Sequence, residues 1–176
     1  MTQQRNSRID ADATRRMSLP CEGGCTCGSV RYRLLATPLI IHGCHCSLCQ
    51  RQTGSAFAIN ALVEAENVEV LSGDIDMLKV MTPSGLGQTI TRCTNCHVAV
   101  WSYYHKHELN ERIRFLRVGT LDDPTAFPPD VHIYTSTKLP WLSLPKGVPA
   151  VARYYKVNET FSRDSLARRA KLLETG

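Results

Sequence analysis

Seven of the eight cysteines in this chain fall in three tight clusters: Cys25-Thr-Cys27, Cys44-His-Cys46-Ser-Leu-Cys49 and Cys93-Thr-Asn-Cys96. C-x-C and C-x-x-C spacings turn two sulfurs toward one point, as a tetrahedral ion requires. Thiolate-rich sites select zinc or iron–sulfur clusters over hard cations, and the ferredoxin-type cysteine runs are absent, so zinc is the expected ion. Packing as small hydrophobes would not call for such spacing. Cys21 lies outside the pattern and reads as a free or partly buried thiol.

Spacing alone leaves the division of the seven open. One four-cysteine site joins Cys46 and Cys49 with Cys93 and Cys96, in the manner of a zinc ribbon. Another joins Cys25 and Cys27 with Cys93 and Cys96, which leaves Cys44, Cys46 and Cys49 as a compact trio. Four closed ligands are the structural arrangement, whereas three ligands and an open position are the catalytic one. Four plus three therefore points to one site of each kind, with His45, His97 or Cys21 available to fill a fourth place.

The elements that must hold these clusters read as mostly β. Residues 30–34 alternate as a half-buried strand does. Residues 39–41, 55–63, 68–71, 75–80, 88–92, 98–104 and 113–119 read as further short strands or apolar runs, with a turn signal at Ser72-Gly-Asp74. From 122 to 149 the chain carries six prolines, which remove ladder donors and predict surface loop, with 131–134 as an edge or partner strand. The one convincing helix spans 162–173, capped by Ser162 or Asp164, with Leu166, Ala170 and Leu173 on one face. The expected organisation is a disordered tail over 1–18, a zinc-binding domain over 19–160 and a C-terminal helix over 161–176.

The 176 residues suit one domain, and 43% hydrophobic with 21% charged content reads as a globular chain. No apolar run approaches the roughly 20 residues of a membrane span. The first residues are basic but lack the apolar core of a signal peptide, and Asp10 and Asp12 weaken a transit-peptide reading. A reducing compartment, the cytoplasm or nucleus, is expected, where clustered cysteines serve metal or catalysis and not disulfides. The formal charge is +5. Seven thiolates subtract seven charges and two divalent ions return four, leaving about +2, which argues against nucleic acid as a partner. The basic groups at the ends (Arg5, Arg8, Arg15 and Arg16; Arg163, Arg168, Arg169 and Lys171) read as solvated, because no aromatic residues interleave them.

In order along the chain come Glu22-Gly-Gly-Cys-Thr-Cys-Gly-Ser-Val-Arg-Tyr32, the second cysteine cluster with Arg51 and Thr53-Gly54, then Cys93-Thr-Asn-Cys96. Val118-Gly-Thr-Leu-Asp-Asp-Pro124, His132 and Pro140-Trp141 follow. Together they resemble the glutathione-dependent formaldehyde-activating enzyme family, which includes centromere protein V. The resemblance runs from about residue 22 to 142. It implies a β-tent fold, small antiparallel sheets gathered around zinc. It also implies that Cys25, Cys27, Cys93 and Cys96 hold a structural zinc, and that Cys44, Cys46 and Cys49 hold a catalytic one. The family carries glycine where this chain has His97. Glycine eases a tight knuckle backbone, so His97 puts the local geometry, not the ligands, at issue.

An open three-thiolate zinc site admits a substrate thiol as thiolate. Addition to a small aldehyde then gives an S-hydroxyalkyl thioether with no redox change. The resemblance implies glutathione and formaldehyde, hence a carbon–sulfur lyase, with a non-catalytic zinc interaction module or a glutathione-conjugate enzyme for a larger electrophile as alternatives. Arg51 is a candidate for a glutathione carboxylate, though it also reads as an ordinary surface charge. His45 reads as a proton handler or as a side chain turned from the metal, and His132 as a structural hydrogen-bonding group. His105 and His107 are expected in solvent, and Trp101 and Trp141 as core or rim aromatics.

Overall fold

Residues 18–105 and 107–174 are described by a computed structural model. The expected tail over 1–18, its last residue excepted, lies outside them, as do Arg5, Arg8, Arg15 and Arg16. The fold is mainly β. Strands β1 (Cys21–Gly24), β2 (Arg31–Leu34) and β5 (Val68–Ser72) form a three-stranded antiparallel sheet. Strands β3 (Ile40–Cys44), β4 (Ala58–Glu64), β6 (Ile75–Val80), β7 (Gln88–Cys93), β8 (Ala99–Tyr104), β9 (Ile113–Arg117) and β10 (Val131–Ile133) form a second sheet, in the order β10-β3-β4-β9-β8-β7-β6. Small antiparallel sheets were expected, and the pairings are antiparallel except that β10 runs parallel to β3 at the edge of the seven-stranded sheet. The long proline-rich crossover permits this, because parallel neighbours cannot be joined by a tight turn.

Successive residues of a strand face opposite sides, so register decides what shares a face. Ile41, Ala61, Leu116, Trp101 and Thr91 form one rung across five strands. Four of them, Thr91 apart, join one buried cluster with Tyr32 and Leu34 of the small sheet and Val30 just before it, and that cluster includes Cys25 and Cys93. Trp101 meets Tyr32 edge-on at 5.7 Å and is core, as expected, whereas Trp141 is 72% exposed. The next rung, His42, Asn60 and Arg117, faces the other side. There Ile40, Cys44, Cys49, Ala58, Leu62 and Phe115 pack with Tyr155 and Phe161. The two cysteine-bearing cores thus lie on opposite faces of one sheet.

Among the described residues, three α-helices complete the fold: α1 (Ser47–Thr53), α2 (Val157–Thr160) and α3 (Arg163–Glu174). Only the last was expected. Ser162 caps α3, its Oγ accepting from the Ser165 N–H at 3.1 Å. The face of α3 turned to the protein differs from the expected one. Ser165, Leu166, Arg168, Arg169 and Leu172 are at least half-buried, while Ala170 and Leu173 are exposed. Nor are Arg168 and Arg169 solvated tail charges. Arg168 donates from Nε and Nη2 to the two carboxylate oxygens of Glu64, at 2.7 and 2.6 Å, and from Nη2 to the Thr37 carbonyl at 2.8 Å. Arg169 pairs with Glu108. A fork matched to a carboxylate that is only 5% exposed anchors the helix where apolar contacts are few.

Removing one partner strands a buried charge. Arg168→Ala is therefore expected to lower unfolding stability by roughly 3 kcal/mol in a urea titration. Lys156→Ala, which breaks a pair exposed on both sides (80% and 68%), should leave the midpoint in place.

Candidate metal centres

Two hairpin ends build the first centre. Cys25 and Cys27 follow β1 in a turn closed by Gly28 N–H to Cys25 carbonyl (3.1 Å) and Cys25 N–H to Val30 carbonyl (3.0 Å). Cys93 and Cys96 sit in the turn between β7 and β8, closed by His97 N–H to Cys93 carbonyl and Cys93 N–H to Val98 carbonyl, both 3.0 Å. His97 has φ +60°, the left-handed region where glycine is at ease, so the knuckle geometry is kept despite the replacement. The four sulfurs lie within 4.8 Å of one another, with Cys25–Cys27 at 3.4 Å and Cys27–Cys93 at 3.8 Å. A tetrahedral ion at the usual zinc–sulfur length of about 2.3 Å would space its ligands about 3.8 Å apart, so the donor set fits. Backbone N–H groups of Val30 and Asn95 point at Cys25 and Cys93, at 3.3 and 3.4 Å. The Ser29 backbone N–H, then the Asn95 amide, lower the Cys27 thiol to about 5, which prepares a thiolate.

The second group joins the end of β3 to α1. Cys44 closes the strand, Cys46 caps the helix by accepting from the Cys49 N–H at 3.3 Å, and Cys49 sits one turn in. Their sulfurs also lie within 4.8 Å of one another, with Cys44–Cys46 at 3.5 Å. Shared protons, from Cys44 and then Cys49, drive the Cys46 thiol far down, so negative charge collects there first. Between the two ways of dividing the cysteines, the structure brings Cys25 and Cys27 to Cys93 and Cys96, and leaves the trio to itself. Cys21 belongs to neither group. Burial, then Asp122 and Asp123, raise its thiol.

The trio forms part of the wall of a cavity of about 380 Å³, lined also by His42, Asn60, Phe115, Tyr104, Tyr134 and Tyr154 among others. Arg51 is exposed on α1 and does not line it. Nor does His45. Its Nε2 meets Nδ1 of His132 at 2.9 Å, and its ring stacks on Phe57. A Cβ on Gly43 would stand 2.7 Å from His132 Nδ1, so glycine makes room for this pair. The structural role expected of His132 holds. His107 lines the cavity half-buried, and His105 bonds Thr89 at 3.0 Å, so neither is the free solvated side chain expected.

Reading the residues missed Arg117 and the three tyrosines. Arg117 is 8% exposed, and its described partners are neutral amides: Nη1 donates to Asn60 Oδ1 at 2.8 Å and Nη2 to Gln52 Oε1 at 3.2 Å. Gln52 passes the chain to Gln88 and Ser102. Burial, then the Arg117 charge, hold His42 down to about 3, so this wall residue is neutral. The Cys49 thiol is raised: Cys44 lowers it, Cys46 and burial outweigh that, and the Arg117 charge is a smaller lowering contribution. The Arg117 charge thus opposes a histidinium at His42 and partly offsets the rise at Cys49. Nothing but strand register could have revealed this residue in the sequence.

A model of the glutathione-dependent formaldehyde-activating enzyme family matches residues 20–137. The chain belongs to that family. It is 27% identical over 129 residues to a Halomonas elongata protein whose name provisionally gives it that same activity, spanning 70% of this chain and 80% of the relative. A crystal structure of a Rhodobacter sphaeroides protein aligns with a TM-score of 0.42 at 21% identity, over 57% of this chain and 87% of the other. Relative to the family expectation, both cysteine groups are assembled and the His97 departure is absorbed by the backbone.

Native mass spectrometry of this family member is expected to show two divalent ions per chain, and one in Cys46→Ala. A single ion, unchanged in that variant, would falsify the two-centre arrangement.

Proposed function

We propose that the protein is a zinc-dependent carbon–sulfur lyase of the S-(hydroxymethyl)glutathione synthase type, acting in the cytoplasm on glutathione and a small aldehyde. Cys25, Cys27, Cys93 and Cys96 hold a structural zinc; Cys44, Cys46 and Cys49 hold the catalytic one. The observation that carries the reading is a group of three sulfurs, not four, in the wall of a cavity. When bound there, zinc supplies a soft Lewis acid with an exchangeable position, where a substrate thiol is held as thiolate.

The chain's own residues do the rest. Three thiolates around a dication carry one net negative charge, and Arg117 supplies a fixed positive charge on the same face of the sheet. The Cys49 N–H stabilises the Cys46 sulfur. Tyr104 and Tyr134 line the cavity, and no protein partner is described for either hydroxyl, so both can donate to a carbonyl oxygen. In the reaction a sulfur–carbon bond forms, the carbonyl π pair moves to oxygen, and the thiol proton ends on that oxygen. No electron is gained or lost. Aiming donors at the oxygen where charge develops is the larger part of such catalysis.

Among the described residues, the cavity wall carries no lysine, arginine, aspartate or glutamate. Glutathione's carboxylates and ammonium therefore stay outside, where exposed Arg51, on the helix that carries Cys49, is the proposed carboxylate partner. A purely scaffolding role would need the closed four-cysteine centre and no cavity beside a second group.

Calorimetry of the zinc-loaded protein with glutathione tests this. Binding is expected to weaken about tenfold or more in Cys46→Ala, given what loss of an inner ligand or its support costs a metal site. Equal affinity in both proteins would remove the zinc–thiolate reading.

A further inference from the structure

The cavity beside Cys44, Cys46 and Cys49 is much larger than a one-carbon aldehyde needs. A water molecule's share of liquid volume is about 30 Å³, and formaldehyde has only two heavy atoms. The cavity holds about 380 Å³. That is the size range of pockets that enclose a ring-bearing small molecule. Glutathione cannot account for the excess room. Its ends are charged, the described residues of the lining include no lysine, arginine, aspartate or glutamate, and an unpaired charge is costly to bury. Only its cysteinyl methylene and sulfur suit the interior.

What the wall offers is apolar and aromatic. Phe115 meets Tyr104 edge-on at 5.0 Å, Tyr154 lies 6.2 Å from Tyr134, and Leu48 and Ile133 complete the surface. Such walls favour a ring held edge-to-face or offset. Polar groups stand among them: the Tyr104 and Tyr134 hydroxyls, the Asn60 amide, His107, Thr82, and His42, whose buried Nδ1 has no partner among the described residues, with exposed Ser47 and Ser84 at the rim. A chamber walled by aromatic rings and aliphatic side chains, with neutral polar groups at intervals, suits a substrate that is mostly hydrocarbon with one polar function.

We infer that the electrophile is an aldehyde carrying an aromatic or branched apolar group, which fills this cavity while its carbonyl carbon meets the thiol sulfur. This rests on the proposed thiol–carbonyl addition and narrows its substrate class. The bond changes are those already given: carbon–sulfur forms, the carbonyl π bond opens, and the thiol proton passes to oxygen. Formaldehyde would enter but leave most of the wall uncovered.

The test measures hemithioacetal exchange by NMR saturation transfer, with glutathione and the zinc-loaded protein. Phenylacetaldehyde and formaldehyde are compared, each relative to its own uncatalysed exchange. Each buried methylene contributes about fourfold, so phenylacetaldehyde should be accelerated at least about tenfold more than formaldehyde. In Ser84→Trp, which places a ring at the exposed rim, the ratio of the two accelerations should fall toward one. That ratio does not depend on how much of the variant folds. Acceleration of formaldehyde with equal or smaller acceleration of phenylacetaldehyde would overturn the inference and leave the proposed addition standing. Acceleration of neither would overturn both. A ratio unchanged in Ser84→Trp would overturn the assignment of the preference to this cavity.

Discussion

Four sulfurs from two turns, 66 residues apart between Cys27 and Cys93, must meet at one point, and the rest of the fold is arranged around that meeting. One pair lies in the small sheet's first hairpin, the other between β7 and β8 of the large sheet. Bringing them together presses the small sheet onto one face of the large one and buries Tyr32, Trp101 and Val30 between them. The loop-closure entropy of so distant a contact is large compared with what one pair of apolar side chains returns. A metal–thiolate centre is the kind of interaction that can offset it, since metal binding in such sites couples directly to folding.

The large sheet then acts as a partition. Alternation along its strands sends Ile41 and Leu116 toward the four-cysteine centre, and His42, Cys44 and Asn60 toward the trio. The two groups of sulfur cannot exchange ligands without crossing a sheet. One side of the sheet therefore holds four sulfurs and the other three. Charge follows the same partition. Arg117 is buried on the trio's side with amides for partners, and sulfur is the anionic chemistry near it. A buried guanidinium without a carboxylate is costly unless another negative group compensates.

Support for the trio comes from elements far along the chain. Gln50 of α1 donates to the carbonyls of His45 and Thr137, and Thr137 donates back to His45, tying the helix to the turn after β10. The His45–His132 pair fills the space behind, where Gly43 leaves room. These contacts hold the backbone between Cys44 and Cys49 without placing a ring in the cavity.

Local patterns carried much of this into the sequence. Alternation and turn residues located most of the strands of both sheets to within a few residues, because side-chain periodicity is a local consequence of the pleat. Cysteine spacing marked seven candidate metal ligands, because a knuckle turn is local too. The short helix α1 was hidden, since its cap is a cysteine and not the serine, threonine, asparagine or aspartate that signals a helix start. The pairing of Arg168 with Glu64 was hidden as well, 104 residues apart. So were the burial of Arg117 and the aromatic cavity, while the sharing-out of sulfurs was left open by spacing and implied only by the family resemblance. Each depends on which strands lie side by side and in which register. By itself the sequence determined that seven cysteines are poised for metal on a β framework. Tertiary structure decided which four close together and which three share a wall with the cavity, because proximity between distant segments is set by sheet order and packing and leaves no mark on the spacing of residues along the chain.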